Sequence, residues 1–202
     1  MAAHALNLIG DRWALLVVRE LMFAEKRFQM IRGGIPGVTA SVLTARLTQL
    51  ASAGVVVHDD VRGVYALADS GRALLPVLES LCRWALLVPG HDPKRFISPS
   101  ALMISMGANL KRAEARKRSA LAGFDFGYEA FEMRLRQGRL QTTAIARPVA
   151  SFVLSGTGNT LAAAVYGAAG VRQLVTRRLI HVDGDIDAAQ AFVDLFTLQP
   201  QT

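Results

Sequence analysis

The chain has 202 residues, 51% of them hydrophobic, and a formal net charge of +7. This composition excludes a disordered chain and favours one large or two small folded domains with a polyanionic partner. The single cysteine, Cys82, excludes an intramolecular disulfide, and no signal-peptide pattern or long apolar run is present, so we expect a cytoplasmic protein that does not cross or bind a membrane.

The first 87 residues predict a mainly helical domain. Asp11 is a suitable cap for a first helix in which Trp13 and Val17 have helical spacing. A short second helix begins at Phe28 and ends at the glycines 33 and 34. Thr39 then caps a third helix that runs to about residue 53, and its buried stripe comprises Leu43, Leu47 and Leu50.

A small β-hairpin follows the third helix. The β-prone runs 55–57 and 64–67 are separated by a polar segment, which is typical of two short antiparallel strands. Asp69 starts a further helix that continues past Trp84, and we expect Pro76 to bend this helix without ending it.

This order of elements is that of a winged helix-turn-helix, in which the third helix enters the DNA major groove and the hairpin is the wing. Small polar side chains project from the third helix opposite its leucines, and they suit base-edge or phosphate contacts. The alternative is a helical bundle whose polar face has no ligand. The candidate DNA-binding residues are Thr39, Ser41, Thr44, Ala45, Arg46, Thr48, Gln49 and Arg62.

The same region resembles the HxlR-type regulators, which are related to the MarR group. The resemblance rests on the segments IGDRW, RELMF, IPGV and PVLESLCRW within residues 5–86. It implies homodimers that bind double-stranded DNA, and we place Leu78, Leu81 and Trp84 at or beside the dimer interface. Members of this family usually have an N-terminal segment with a cysteine before the first helix, and the present sequence begins just after that segment. Short side chains on the third helix and Asp59 and Asp60 in the wing imply sparse base contacts and a weak hold on phosphate.

The second half predicts a separate α+β domain. Residues 88–99 contain three prolines and form the predicted linker between a domain at 1–87 and a domain at 100–202. Aromatic residues occupy every second position at Phe124, Phe126 and Tyr128. From Phe131 onwards the apolar residues occupy the other set of positions, which indicates a strand break or bulge. A strand over 149–154, helices over 160–167 and 171–177, a strand over 179–182 and a final helix containing residues 189–196 complete the expected fold.

This half is similar to the sterol carrier protein family, chiefly in the segment VDGDIDAAQAF. The resemblance implies an α+β sterol-carrier-like domain around an apolar tunnel, and hence a lipophilic ligand. The alternative is that the aromatic residues simply form the core of a small domain. The candidate ligand-binding residues are Phe126, Phe131, Met133, Leu135, Phe152, Phe192 and Phe196.

The remaining patterns do not predict catalysis. The histidines, including His91, lack metal-ligand spacing, and residues 156–159 lack the lysine of a phosphate-binding loop. The basic run 111–118 is interpreted as a solvated face. We therefore expect a non-enzymatic repressor with no cofactor or metal, controlled by a hydrophobic ligand. The competing hypothesis is a carrier of hydrophobic ligands that uses its helix-turn-helix as a dimer scaffold.

Overall fold

The computed structural model describes residues 1–90, 92 and 94–199, so His91 and parts of the predicted linker lie outside the described residues. The chain divides into two compact units, Met1–Leu81 and Cys82–Thr202. None of the described helices is long and apolar enough to cross a membrane.

The first unit has the predicted winged helix-turn-helix order. Thr39 caps the third of the predicted helices, accepting a hydrogen bond at Oγ1 from the Val42 amide at 3.3 Å, and the three leucines of its stripe are buried. The β1–β2 hairpin is antiparallel, and the backbone of Lys26 pairs with Tyr65 as a third, single-residue strand. The elements are α1 (Ala2–Ile9), α2 (Arg12–Leu21), α3 (Phe28–Gly33), α4 (Ala40–Ser52), β1 (Val56–Asp59), β2 (Val64–Leu67) and α5 (Asp69–Arg72).

The helix that we predicted from Asp69 is interrupted. Helix α5 ends at Arg72, and after two intervening residues a new helix, α6 (Leu75–Ala85), begins and continues into the second unit. Pro76 is the second residue of α6. Its ring has no N–H and would clash with the carbonyl of Arg72 in a continuous helix, so the expectation of a merely bent helix was wrong.

The second unit packs helices against a five-stranded mixed sheet with the order β5-β4-β3-β6-β7. Strands β3 and β6 are parallel and the other neighbours are antiparallel. The elements are α7 (Pro99–Ala108), α8 (Arg112–Ala115), β3 (Ala120–Asp125), β4 (Ala130–Arg136), β5 (Arg139–Ala144), β6 (Phe152–Ser155), α9 (Gly158–Tyr166), α10 (Val171–Thr176), β7 (His181–Gly184) and α11 (Ile186–Val193).

A strand break is present, but it precedes the predicted position: β3 ends at Asp125, a turn follows, and Ala130 and Phe131 are the first residues of β4. Tyr128 lies in this turn and is exposed. Strand β6 is shorter than the predicted 149–154, and strand β5 was not predicted. Phe196 was expected on the last helix, but α11 ends at Val193 and Phe196 instead forms a β-bridge with Leu110.

Candidate nucleic-acid interface

Helix α4 presents a small polar face to solvent. Ser41, Thr44, Ala45 and Thr48 are exposed, as is the capping residue Thr39. This face lies opposite the buried leucines because apolar residues recur every three or four positions along the helix. The predicted contact residues on α4 are therefore brought together on one accessible surface, with Arg46 and Gln49 half-buried at its margin.

A buried ionic network positions the turn that precedes α4. The Glu20 carboxylate on α2 lies 2.8 Å from the Arg19 guanidinium and 3.4 Å from the Lys26 ammonium, and Glu20 and Lys26 are each only 1% exposed in their side chains. Arg19 also donates a 2.7 Å hydrogen bond to the carbonyl of Gly34. A Cβ at Gly34 would lie 2.1 Å from Glu20 Oε2, so a larger residue at this position would displace the carboxylate. The network connects α2 to the end of α3 and, through the bridge of Lys26 to Tyr65, to the wing.

Arg46 is drawn back towards the first unit's own surface. Its Nε lies 3.4 Å from Asp11 Oδ1, the same oxygen that caps α2 by accepting the Trp13 amide at 2.8 Å. Its terminal nitrogen donates to the side chain of Gln49. These contacts partly neutralise the charge of Arg46 and hold its side chain against the first unit, although its Nε makes no hydrogen bond to a described residue.

The wing cation, Arg62, is also paired with carboxylates. Its Nε donates to Asp59 Oδ2 at 2.6 Å, and its terminal nitrogen pairs with Glu25. The hydrogen bond from Arg62 lowers the pKa of Asp59, and the same bond raises the pKa of Arg62. Asp60 lies 2.7 Å from the His58 imidazole. The wing therefore offers phosphate little net positive charge.

Helix α3 carries cations that the sequence analysis did not identify. Arg27 occupies the N-cap position of this helix and Arg32 lies in its last turn; both are exposed, and neither has an ion pair within 4.0 Å among the described residues. In helix-turn-helix proteins the helix before the reading helix crosses the DNA backbone. The sequence signal was present, since one arginine precedes this short helix and another lies near its end, but the absence of carboxylates beside them, among the described residues, is evident only in the structure.

The aromatic residues of the predicted ligand pocket are packed against one another. The ring of Phe192 lies 5.7 Å from that of Phe152 and 5.3 Å from that of Phe196, and Phe126 lies 6.0 Å from Phe131. All seven predicted pocket residues, including Met133 and Leu135, are buried. The structure therefore places these residues in the core of the second unit, where Phe152 of the sheet packs against Phe192 of α11.

Cavities of about 170 and 400 Å³ open among the described residues of the second unit. Neither is lined by a residue of the predicted pocket. Near the smaller cavity, burial raises the pKa of Tyr166, whose hydroxyl lies 2.9 Å from Ser105 Oγ. The smaller cavity is lined by Arg83, Trp84, Leu86, Leu87, Ala108, Asn109 and Gln199, and the larger by Ser155, Val175, Arg178, Leu179, Ile180 and His181.

The predicted dimer residues on α6 differ in exposure. Leu78 is buried in the core, whereas Leu81 and Trp84 are 42% and 60% exposed. Val77, one turn before Leu81 on α6, is also exposed, and Val88 is exposed beyond the end of this helix. Leu81 and Trp84 are therefore accessible to a partner, whereas Leu78 is not.

Comparison with known proteins identifies the first unit. The family model described as an HxlR-like helix-turn-helix matches residues 8–90. The HTH-type transcriptional regulator YvaP of Bacillus subtilis is 36% identical over 86 residues, which cover 40% of this chain and 80% of YvaP. The chain belongs to the HxlR-like helix-turn-helix family.

Other proteins match the same part of this HxlR-like chain. An HTH-type transcriptional regulator of Methanothermobacter thermautotrophicus is 35% identical over 93 residues, covering 44% of this chain and 71% of that protein. The quinone-bound crystal structure of YodB from Bacillus subtilis has 31% identity and a TM-score of 0.40, covering 43% of this chain and 97% of YodB. Most of the second unit of the HxlR-like chain lies beyond residues 8–90.

Proposed function

We propose that the protein is a DNA-binding transcriptional regulator that represses by occupying a duplex operator. The observation that carries this proposal is the exposed Thr and Ser face of α4, held in place by a buried ionic network within an HxlR-like unit. Hydroxyl groups on a helix of this kind contact base edges and phosphates in the major groove. The relatives that are named as transcriptional regulators support the same hypothesis.

Thr44→Glu tests the proposed reading helix. Thr44 is exposed on α4, so a carboxylate there would face the phosphates and base acceptors of the groove and should weaken binding by roughly 10- to 100-fold. Binding is measured by fluorescence anisotropy with fragments of the protein's own upstream DNA. Thr176→Glu, which adds the same charge to an exposed position on α10, is the control. Equal affinities of Thr44→Glu and the wild type would contradict this placement of α4.

The cations of the first unit should contribute unequally to DNA binding. Arg32 has no carboxylate partner among the described residues, whereas Arg62 is held by Asp59 and Glu25. Arg32→Gln should therefore reduce the slope of log K against log salt by about 0.9 for each bound protomer, as expected for the loss of one phosphate contact in each. Arg62→Gln and Arg46→Gln should change that slope less, because their charges are already partly neutralised. A larger effect at Arg62 would mean that its ion pairs exchange for phosphate on binding.

The proposed regulator acts as a homodimer through the exposed row on α6. Leu81 and Trp84 present apolar surface that a second copy would cover, and two-fold symmetric regulators bind paired half-sites. Trp84→Glu should give a monomer by light scattering at micromolar concentration, whereas Val149→Glu, at another exposed apolar position, should leave the dimer intact. A monomeric wild-type protein would refute this part of the proposal.

We also propose that residues 100–202 form a sterol-carrier-like domain, joined by the linker 88–99 to a DNA-binding domain at 1–87, whose apolar ligand controls DNA affinity. The packed rings of Phe152, Phe192 and Phe196 would have to separate to admit the ligand. A fatty acid at 100 times its dissociation constant would add about 2.7 kcal/mol to stability. Palmitate should therefore raise the melting temperature of the wild type, and less so of Ala164→Leu, because Ala164 is a small buried residue on α9. If neither palmitate nor a sterol changed the melting curve, the packed rings would be a core that does not open for a ligand, and this proposal would be refuted.

The carrier hypothesis makes the opposite prediction for DNA. It is favoured by the ion pairs that hold Arg46 and Arg62. A protein that binds palmitate but shows no salt-dependent affinity for duplex DNA would be a carrier with a helix-turn-helix scaffold.

A further inference from the structure

The outer face of the sheet in the second unit carries a cluster of arginines at one end. Arg134 and Arg136 alternate on β4 and are exposed, and Arg139 on β5 pairs directly with Arg136 in the antiparallel register. The turn between the strands, formed by Gln137 and Gly138, has positive φ at both positions, as a tight two-residue hairpin requires. Residues directly opposite on neighbouring strands have their side chains on the same face, so the three guanidinium groups project together.

Helix α8 adds further positive charge at the same end of the sheet. A Cβ at Gly138 would lie 2.8 Å from Arg116 Cγ and 3.4 Å from the carbonyl oxygen of Arg112, so α8 packs against the hairpin turn. Arg112 and Arg116 are both exposed. We name this set the basic surface; it consists of Arg112, Arg116, Arg134, Arg136 and Arg139.

The basic surface is not neutralised within the part of the chain that the structure describes. No carboxylate of a described residue lies within 4.0 Å of any of its guanidinium groups, in contrast to Arg46 and Arg62 of the first unit. The nearest carboxylate on the same strand face, that of Glu132, accepts a 2.8 Å hydrogen bond from the Val149 amide, and Glu114 is exposed on α8. Like charges directly opposite one another destabilise a sheet. This local cost is offset when a polyanion binds.

We infer that the basic surface binds the phosphates of double-stranded DNA and is a second DNA contact of the protein. The inference rests on the proposed function, because the same duplex would be bound by the first unit. The surface consists of arginine alone, and the planar guanidinium group donates two parallel hydrogen bonds to a phosphate. Side chains two residues apart on one strand are separated by about 6.7 Å. This spacing lets neighbouring arginines contact successive phosphates of one DNA strand.

The test compares two triple variants of the full-length protein. Arg134→Gln, Arg136→Gln and Arg139→Gln together remove part of the basic surface. The matched control removes the same charge from exposed positions elsewhere in the second unit: Arg95→Gln, Arg177→Gln and Arg178→Gln. Binding to a duplex of unrelated sequence is measured by anisotropy between 50 and 200 mM salt. The loss of three phosphate contacts in each protomer should reduce the salt slope by about 2.7 for each bound protomer, at about 0.9 for each contact, whereas the control should retain the wild-type slope.

A third variant shows whether a change in the salt slope comes from the lost charge or from misfolding. The triple replacement of Arg134, Arg136 and Arg139 by lysine keeps the charge and should retain most of the slope, and circular dichroism checks that every variant is folded. Equal slopes for the glutamine triple and the wild type, with binding still lost in Thr44→Glu, would overturn this inference and leave the proposed function standing. If the wild-type protein did not bind DNA, both this inference and the proposed function would be overturned. Loss of binding to phosphatidylglycerol vesicles in the glutamine triple, with an unchanged DNA slope, would overturn the inference in favour of a membrane contact.

Discussion

Replacing Glu20 by glutamine should destabilise the first unit more than any surface change. Glu20 and Lys26 are both 1% exposed in their side chains, and the carboxylate lies 3.4 Å from the ammonium. Glu20→Gln keeps the shape of the side chain but leaves the buried ammonium facing a neutral amide. Removing one partner of a buried ion pair costs about 3–5 kcal/mol, which is a large part of the 5–15 kcal/mol typical of a folded domain.

The assay is urea unfolding followed by tryptophan fluorescence. The chain has two tryptophans, so in a Trp84→Phe background the signal reports on Trp13, which lies on α2 in the first unit. With a denaturant slope of about 1.5 kcal/mol/M, the loss corresponds to a midpoint lowered by about 2–3 M urea. The exposed pair of Arg72 and Asp69 supplies the control, since Arg72→Gln should shift the midpoint far less.

A double replacement shows whether the charge, and not the packing, is responsible. Glu20→Leu together with Lys26→Met removes both ions and keeps the buried volume, and replacement of a whole buried pair by apolar residues is often neutral or stabilising. The double variant should therefore be more stable than Glu20→Gln. A midpoint shift below about 0.5 M for Glu20→Gln, or a double variant less stable than the single one, would refute this account of the network.

The structure also predicts the direction in which two further substitutions change stability. Gly34→Ala should lower the urea midpoint of the first unit, because its Cβ would lie 2.1 Å from a carboxylate oxygen, whereas Gly33→Ala meets nothing within 4 Å and should not lower it. Burial raises the pKa of Tyr166, so its contribution to stability is fully present below the unfolded pKa of about 10 and is lost as the pH rises further. Between pH 9 and 11 the urea midpoint of the second unit should therefore fall less in Tyr166→Phe than in the wild type. Tyr128→Phe, which replaces an exposed tyrosine, should show the same fall as the wild type.

The elements that could be predicted are those with a strong local pattern. Helix α4 was predicted with its cap and its buried leucines because Thr39 and the leucine spacing are both local signals. Strand β5 was missed because its sequence, RLQTTA, lacks alternating apolar residues: one face is exposed and the other is only partly buried. The break between α5 and α6 depends on a steric clash that the apolar pattern does not express.

The candidate interface could be predicted only in its outline. The polar face of α4 follows from periodicity, but the partners of Arg46 and Arg62 are far away in sequence: Asp11 precedes Arg46 by 35 positions, and Glu25 precedes Arg62 by 37. The pairing of Arg136 with Arg139 depends on the register of a strand that the pattern did not reveal. Tertiary contacts of this kind decide which cations are free for a ligand, and a single sequence does not encode them in any short window.

The pairing of β3 with β6 determines when the second unit can fold during synthesis. Ala122 lies opposite Phe152 and Phe124 opposite Leu154, so one edge of this central strand stays open until about thirty further residues have been added. The first unit is built mainly from helices and a tight hairpin, and such local contacts form early. A nascent chain that ended after β5 would expose an unpaired apolar strand edge, which is a template for aggregation. Shortened versions of the protein should therefore stop before Ala120 or extend beyond α11.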